Sequence, residues 1–352
     1  MDPTALIPVP DAIPMAWGWF EGLNILTFTL HMILVNVLVG GGFFALYLTL
    51  NKRADLAAPI TRKLPTVFAL VVNFGVAPLL FLQVVYGHFF YSGSVLSAAW
   101  WLGVILLLIA GYYALYIHQH KSAADPANRG GYLLAALAVI LCVGLVMVNV
   151  LTLMLRPDLW VSGVGGSSGT LFNFMDATFA PRFLHFLFAS LAVGGLAAAL
   201  LARFGKERGT TSSEIVQHSG LRLFVTASVL QIASGLWWLV ALDRPVLLQF
   251  MGDSVPGTAL LLVSVALAVL ALMAGATRKP VSAAIWTGLT ILSMSGVRAV
   301  VRNATLEPWF SPGQLQVTGE ISPFVFFLVT LVIGLAALAY MLRLAFFASK
   351  EG

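Results

Sequence analysis

Apolar stretches of about 20 residues recur from one end of this chain to the other, and charged residues are confined to the short gaps between them. A helix rises about 1.5 Å per residue, so each stretch can cross a hydrocarbon core of about 30 Å. In lipid the backbone has no water to bond, so each stretch must close its own hydrogen bonds as a helix. Composition leaves no alternative. Charged residues make up 9% of the 352, too few to cover a water-soluble domain, which carries roughly 25%. The formal charge of +5 does not point to nucleic acid, because the basic side chains sit in short loops. The lone Cys142 lies inside an apolar run and reads as core filler. The first residues, MDPTALIPVPDAIP, are acidic and proline-rich and lack the basic start of a cleaved signal peptide.

The pattern predicts an all-α membrane protein of about nine spans, at 22–50, 64–90, 95–117, 131–155, 181–203, 220–242, 256–276, 281–301 and 323–347. Gaps such as NKRADLAAPITRK, HKSAADPANRGG and RFGKERGTTSSE carry the Gly, Pro and charge signals that end helices. All but five of the 19 Lys+Arg, from Lys52 and Arg53 to Lys206 and Lys350, fall in the odd-numbered loops and at the C-terminus. The five others, Arg156, Arg182, Arg244, Arg298 and Arg302, fall on the opposite side. Basic loops stay in the cytoplasm, so the N-terminus is placed outside and the C-terminus inside, as in a multi-pass protein of a bacterial inner membrane. Ser167 then falls outside and Ser212 inside.

The chain also resembles itself. HMILVNVLVGG and HFLFASLAVGG both read His, eight residues, Gly-Gly, starting at His31 and His185. Each is followed by an Arg-started helix, RKLPTVFALVVNF and RLFVTASVLQIAS. The expected plan is an external segment 1–21, a four-helix bundle 22–155, a second 181–301, and a ninth helix 323–347. The glycines at Gly40 to Gly42 and at Gly194 and Gly195 suit close helix packing.

Orientation assigns each polar residue a depth. His31, His185 and His88 fall in the outer half, with Arg182, Arg298 and Arg302 at the same level. Met294 lies one turn deeper than Arg298 on one face. Ionisable groups inside a membrane are costly and mark function. Imidazole is a common iron ligand, and helical bundles build such sites from facing helices; a buried histidine can instead bond a backbone carbonyl. The repeat positions of His31 and His185 favour ligation, and His88 has no such counterpart. The three arginines have two readings. They snorkel to lipid head groups, or they neutralise haem propionates or hold a quinone-type head group, for which the planar guanidinium fork is suited. His118, His120 and His218 read as solvated loop residues. Trp17 and Trp19, Phe89 to Tyr91, and Trp100 and Trp101 read as interface anchors.

Three of these stretches resemble the haem-bearing large subunit of the cytochrome bd quinol oxidases. TLHMILVNVLVGGGFFAL looks like that family's first helix with its haem-ligand histidine, here His31. RKLPTVFALVVNFGVAPLLFLQVVYGHFFYSGS is similar to its second helix, and PRFLHFLFASLAVGG resembles its fifth, whose histidine ligates the low-spin haem, here His185. The resemblance covers roughly the first 240 residues. There are departures. The family's third-helix glutamates, which serve its oxygen site, have no counterpart in SVLSAAWWLGVILLLIAGYYALYI. The late carboxylate ligand has none within the ninth helix, the nearest carboxylates being Glu307 and Glu320. The long quinol loop is cut to DRPVLLQFMGDSVPG. For the methionine opposite the low-spin-haem histidine, the candidates are Met294 and Met251.

The resemblance and its departures together imply a haem-b subunit of a quinol-oxidising complex rather than an oxygen reductase. Menaquinol or ubiquinol would be oxidised near the outer face through haem on His185 and His31, or quinone reduced in the reverse direction. With no CxxCH motif and one cysteine, the chain needs an extracytoplasmic redox subunit, such as a multihaem c-type cytochrome, in a hetero-oligomeric complex. The catalytic residues themselves are not legible. The rival is a haem-free transporter or membrane anchor. A transporter would show broken helices and midplane charges. Here the polar residues crowd one leaflet.

Overall fold

The computed structural model describes residues 3–124, 129–164, 169–205 and 208–348. Its elements are α1 (Trp17–Leu50), α2 (Ala54–Thr61), α3 (Leu64–Leu96), α4 (Ala98–Ala124), α5 (Arg129–Met154), α6 (Pro157–Val164), α7 (Phe179–Phe204), α8 (Thr211–Val240), α9 (Arg244–Leu248), α10 (Val255–Ala276), α11 (Pro280–Leu306) and α12 (Ile321–Ala348). The chain is all-α, and among the described residues eight helices are long and apolar enough to cross a membrane. Helix α12 stands where the ninth span was expected, and within it Ile321–Gly334 forms a shorter apolar helix. Lys206, Lys350 and Ser167 lie outside the described residues.

Several helices extend beyond the expected spans: α3 runs to Leu96 rather than 90, α8 starts at Thr211 rather than 220 and α11 runs to Leu306 rather than 301. Two further differences change the reading of a charged or titratable side chain. α1 starts at Trp17 rather than at 22, which brings Glu21 inside the helix, where it pairs with Arg302. A charge in an apolar helix is costly alone, and the partner removes that objection. α4 runs to Ala124 rather than 117, so His118 lies within the helix and not in a loop. It is 5% exposed, one turn from the buried Leu115 on the same face, so the expectation of a solvated side chain is overturned. His120 and His218 are exposed as expected, but they lie within α4 and α8 rather than in loops.

The helices pack on one plan in both halves. α1 lies against α3 as α7 lies against α8, and α4 pairs with α5 as α10 pairs with α11. The halves meet where α1 crosses α7. A Cβ on Gly40 would lie 1.7 Å from Ser190 O, and one on Gly194 would lie 2.0 Å from Gly40 C, so only glycine lets these backbones touch. Just outward, Ser190 Oγ donates to Asn36 Oδ1 at 2.8 Å across an offset of 154 residues. Gly40 and Gly194 share that offset, as do His31 and His185. α1 and α7 are therefore parallel and unstaggered, and both histidines lie about 13 Å along their helices from the crossing.

Outside this axis, hydropathy alone misassigned several side chains. Phe89 and Phe90, expected as anchors, are buried with Trp160 and Phe310 under the N-terminal segment. That segment is tied down by backbone bonds from Ile13 N to Gln316 O (2.8 Å) and from Thr318 N to Ile13 O (2.9 Å). Cys142, expected in the core, is exposed on the side of the bundle. An apolar run does not distinguish a protein core from a lipid-facing flank, because both exclude water.

Candidate functional site

His31 projects from α1 onto α3, and its Nδ1 lies 3.1 Å from Val71 O. His185 projects from α7 onto α8, and its Nδ1 lies 3.1 Å from Gln231 O. A carbonyl only accepts, so each Nδ1 carries the proton and each Nε2 keeps its lone pair. The carbonyl bond weighed against ligation is thus present in both residues, and it leaves the other nitrogen available. One turn beyond each carbonyl is a glycine. A Cβ on Gly75 would lie 2.9 Å from His31 Cε1, and one on Gly235 would lie 3.0 Å from His185 Cε1. Both imidazoles rest on bare backbone. Sequence reasoning missed Gly75 and Gly235, although each closes its repeat segment at the same distance from Arg62 or Arg222.

A cavity of about 330 Å³ opens beside His185 and is walled by α1, α7, α8, α10 and α11. It brings together His185, Met294 and Arg298, with Phe28 and Trp238 among its apolar walls. His31, His88, Arg182 and Arg302 do not line it. Met251 is exposed, so of the two methionines only Met294 shares the histidine's cavity. Glu307 and Glu320 are exposed as well.

The arginines do not snorkel. Each stacks on an aromatic face: Arg298 on Phe28 (4.2 Å), Arg302 on Tyr86 (4.5 Å) and Arg182 on Trp238 (5.0 Å). Arg182 and Arg302 are buried. Arg182 has one long bond, 3.5 Å to Thr152 Oγ1, and its Nε has no partner. Arg302 pairs with Glu21, yet its Nε and Nη1 have none. Each guanidinium is held on a ring within the bundle rather than extended toward a head-group layer. By contrast Arg156, in the loop after α5, is held by Asp158 (2.9 Å) and Asp176 (2.8 Å). The hydrogen bonds to Asp158 foremost, with the nearby carboxylate charges, keep its guanidinium protonated above the ordinary arginine range. His88 lies apart, its Nε2 buried without a partner against Phe89 and Phe310.

Glu21, Tyr86 and Asn303 also went unnoticed in the sequence. Tyr86 sits where α3 leaves helical geometry (φ −123°, ψ 23°), which no local motif announces. Glu21 had a visible signal: it shares a helical face with Asn24 and, deeper, Asn36.

No family model matches the chain, and no curated protein matches it in sequence. Its structure is similar to that of bd oxidase from Geobacillus thermodenitrificans, with a TM-score of 0.67 and 13% identity over 97% of this chain and 98% of that one. The likeness continues past residue 240, where the sequence resemblance ends, because packing plans outlast side-chain identity. Over nearly its whole length this chain has the cytochrome bd-type fold and is a distant structural relative of that oxidase.

Proposed function

We propose that this chain is the haem-b membrane subunit of a quinol-oxidising complex in a bacterial inner membrane. It would span nine times as two four-helix bundles and a ninth helix, N-terminus outside and C-terminus in the cytoplasm. One observation carries the proposal. His31 and His185 lie at one level on parallel helices, each with Nδ1 on a backbone carbonyl, a glycine under the ring, and Nε2 unencumbered. Ligating histidines are oriented by such a bond to the other ring nitrogen.

These residues fit haem b. His185 and Met294 share the cavity and would supply ligands there, and His31 would supply one on the α1–α3 side. When bound, haem b supplies a one-electron carrier within the apolar bundle. Arg298 at the cavity wall, and Arg182 with a spare buried donor, suit haem carboxylates or the oxygens of a quinone ring. A buried guanidinium short of acceptors is costly, which favours an oxygen-rich guest beside it. The apolar walls of the cavity admit a hydrophobic ring and exclude bulk water.

Menaquinol or ubiquinol would enter from the outer half, and an extracytoplasmic redox subunit, such as a multihaem c-type cytochrome, would take the electrons. The chain itself has one cysteine and no CxxCH motif. Oxygen reduction is disfavoured because α4 carries no carboxylate. The test is a pyridine-haemochrome assay of the purified protein. Haem b is expected, with less of it in His31→Ala and in His185→Ala. A well-folded protein without haem overturns the proposal.

A further inference from the structure

Two carboxylates lie on the long helices, Glu21 on α1 and Glu214 on α8. Glu214 is exposed, whereas Glu21 is 8% exposed. Arg302 Nη2 donates to Glu21 Oε1. The Tyr86 hydroxyl lies 3.4 Å from Glu21 Oε2 and also within bonding distance of Asn303 Oδ1, so its single proton can go to either. Three elements thus converge on one buried carboxylate.

The place of this cluster follows from the register of α1 against α11. Thr29 Oγ1 bonds Ser295 Oγ at 2.9 Å, Phe28 stacks under Arg298, and Glu21 pairs with Arg302. These contacts are rungs between antiparallel helices. Ser295, Phe28 and Arg298 line the cavity that holds His185 and Met294. Glu21 lies two turns beyond Phe28 on the same face, about 10 Å along the helix. It is the next rung out from the cavity, and Arg302 is one turn beyond Arg298. A ring oxygen held by Arg298 is therefore one helical turn from the Glu21 pair.

We propose that Glu21 is the proton acceptor for quinol oxidised at this cavity, with Arg302, Tyr86 and Asn303 as positioning residues; this rests on the quinol-oxidising function above. A quinol that gives up two electrons also loses two protons. Its O–H bonds break, and the extracytoplasmic redox partner would take its two electrons. Each proton bonds to a Glu21 oxygen and then leaves for the external water, so Glu21 ends each turnover as it began. Arg302, 3% exposed, holds one Glu21 oxygen in place and leaves the other turned toward Tyr86. The groups facing Glu21 are Arg302 and Arg298 from α11 and Tyr86 from α3, with Arg182 of α7 adding positive charge near Arg298. Among the described residues, Phe324 of α12 packs beside Trp19 and Phe20.

The alternative is that Glu21 and Arg302 merely clamp α1 to α11. The test uses the full chain with its native partners, as wild type, Glu21→Gln, Glu21→Asp and, as control, Glu214→Gln. Haem content is measured first, then the rate of haem reduction by a short-chain quinol across a pH series. In wild type the rate is expected to fall on acidification, because a carboxyl that already carries a proton cannot accept another. Glu21→Gln is expected to keep its haem, to slow reduction by at least about tenfold, and to lose that acid limb. Glu21→Asp is expected to restore part of the rate and the limb, and Glu214→Gln to match wild type. A redox-induced infrared difference spectrum should show a protonated carboxyl band that Glu21→Gln lacks. Wild-type rate and pH profile in Glu21→Gln overturn the proposal. So does equal loss of haem in Glu21→Gln and Glu21→Asp, which is the outcome of a clamp. Wild type that holds haem but is not reduced by quinol overturns the functional proposal as well, and that shows before any substitution is compared.

Discussion

Replacing Gly194 by alanine puts a methyl group into the crossing of α1 and α7. Its carbon would lie 2.0 Å from Gly40 C and 2.3 Å from Gly41 N, where ordinary contact begins near 3.4 Å. Both neighbours are backbone, so neither can rotate away. The helices must part by about 1.5 Å, and overpacking of this kind costs about 1–3 kcal/mol. Separation also stretches the Ser190–Asn36 bond from 2.8 Å beyond bonding range, which removes about 1 kcal/mol more. Alanine returns up to about 1 kcal/mol of helix propensity. The net destabilisation is then roughly 1–3 kcal/mol, or about 2–10 °C in apparent melting midpoint. The assay is thermal unfolding of the purified protein in detergent, followed by tryptophan fluorescence. Gly288→Ala is the control, because its new methyl group meets nothing within 4 Å and gains the same propensity. If Gly194→Ala melts at or above Gly288→Ala, the close crossing is wrong.

Gly235→Ala is expected to push the His185 ring off Gln231 O and to lower haem content, since the added carbon would lie 3.0 Å from Cε1; Gly75→Ala should do the same at His31, where the distance is 2.9 Å. Haem content unchanged in both would count against the ring placement. Arg298→Leu should slow quinol-dependent haem reduction by about tenfold with most haem retained, whereas His120→Ala and His218→Ala should change it little; equal effects from all three would remove Arg298 from the site. Purified complex should show no appreciable quinol-dependent oxygen uptake, and rapid cyanide-resistant uptake would mean that oxygen chemistry is served without carboxylates on α4. In oriented proteoliposomes, quinol oxidation should acidify the compartment facing the N-terminus; protons on the side of Lys52 and Arg53 would refute the topology.

Much of the candidate site was legible in part. His31 and His185 stood out because an ionisable residue is rare in an apolar helix, and because both precede Gly-Gly by eight residues. What each ring does with its two nitrogens was not legible. That depends on carbonyls of Val71 and Gln231, which no side-chain pattern encodes. The arginines were readable as cations at helix ends, but not as buried ones. Burial depends on partners from other helices, such as Trp238 of α8 over Arg182 and Tyr86 of α3 over Arg302. Cys142 and Phe89 show the same limit from the apolar side. Hydropathy ranked them alike, and one faces outward while the other is sealed within the bundle.

By itself the sequence determined that the chain is built of long apolar helices along its length, the glycines at which two of them cross, and the two equivalent histidines. These are consequences of local physics. Lipid-length apolar runs must be helical, and a residue without a side chain is needed where backbones touch. Only the tertiary structure decided that Glu21 belongs to α1 and pairs with Arg302, that Met294 rather than Met251 shares a cavity with His185, and that Tyr86 and Asn303 meet at the same carboxylate. Those groupings join residues up to 281 positions apart in the chain. They arise from the register between helices, and in an apolar solvent that register is set by side-chain packing and buried hydrogen bonds rather than by any one segment's hydropathy.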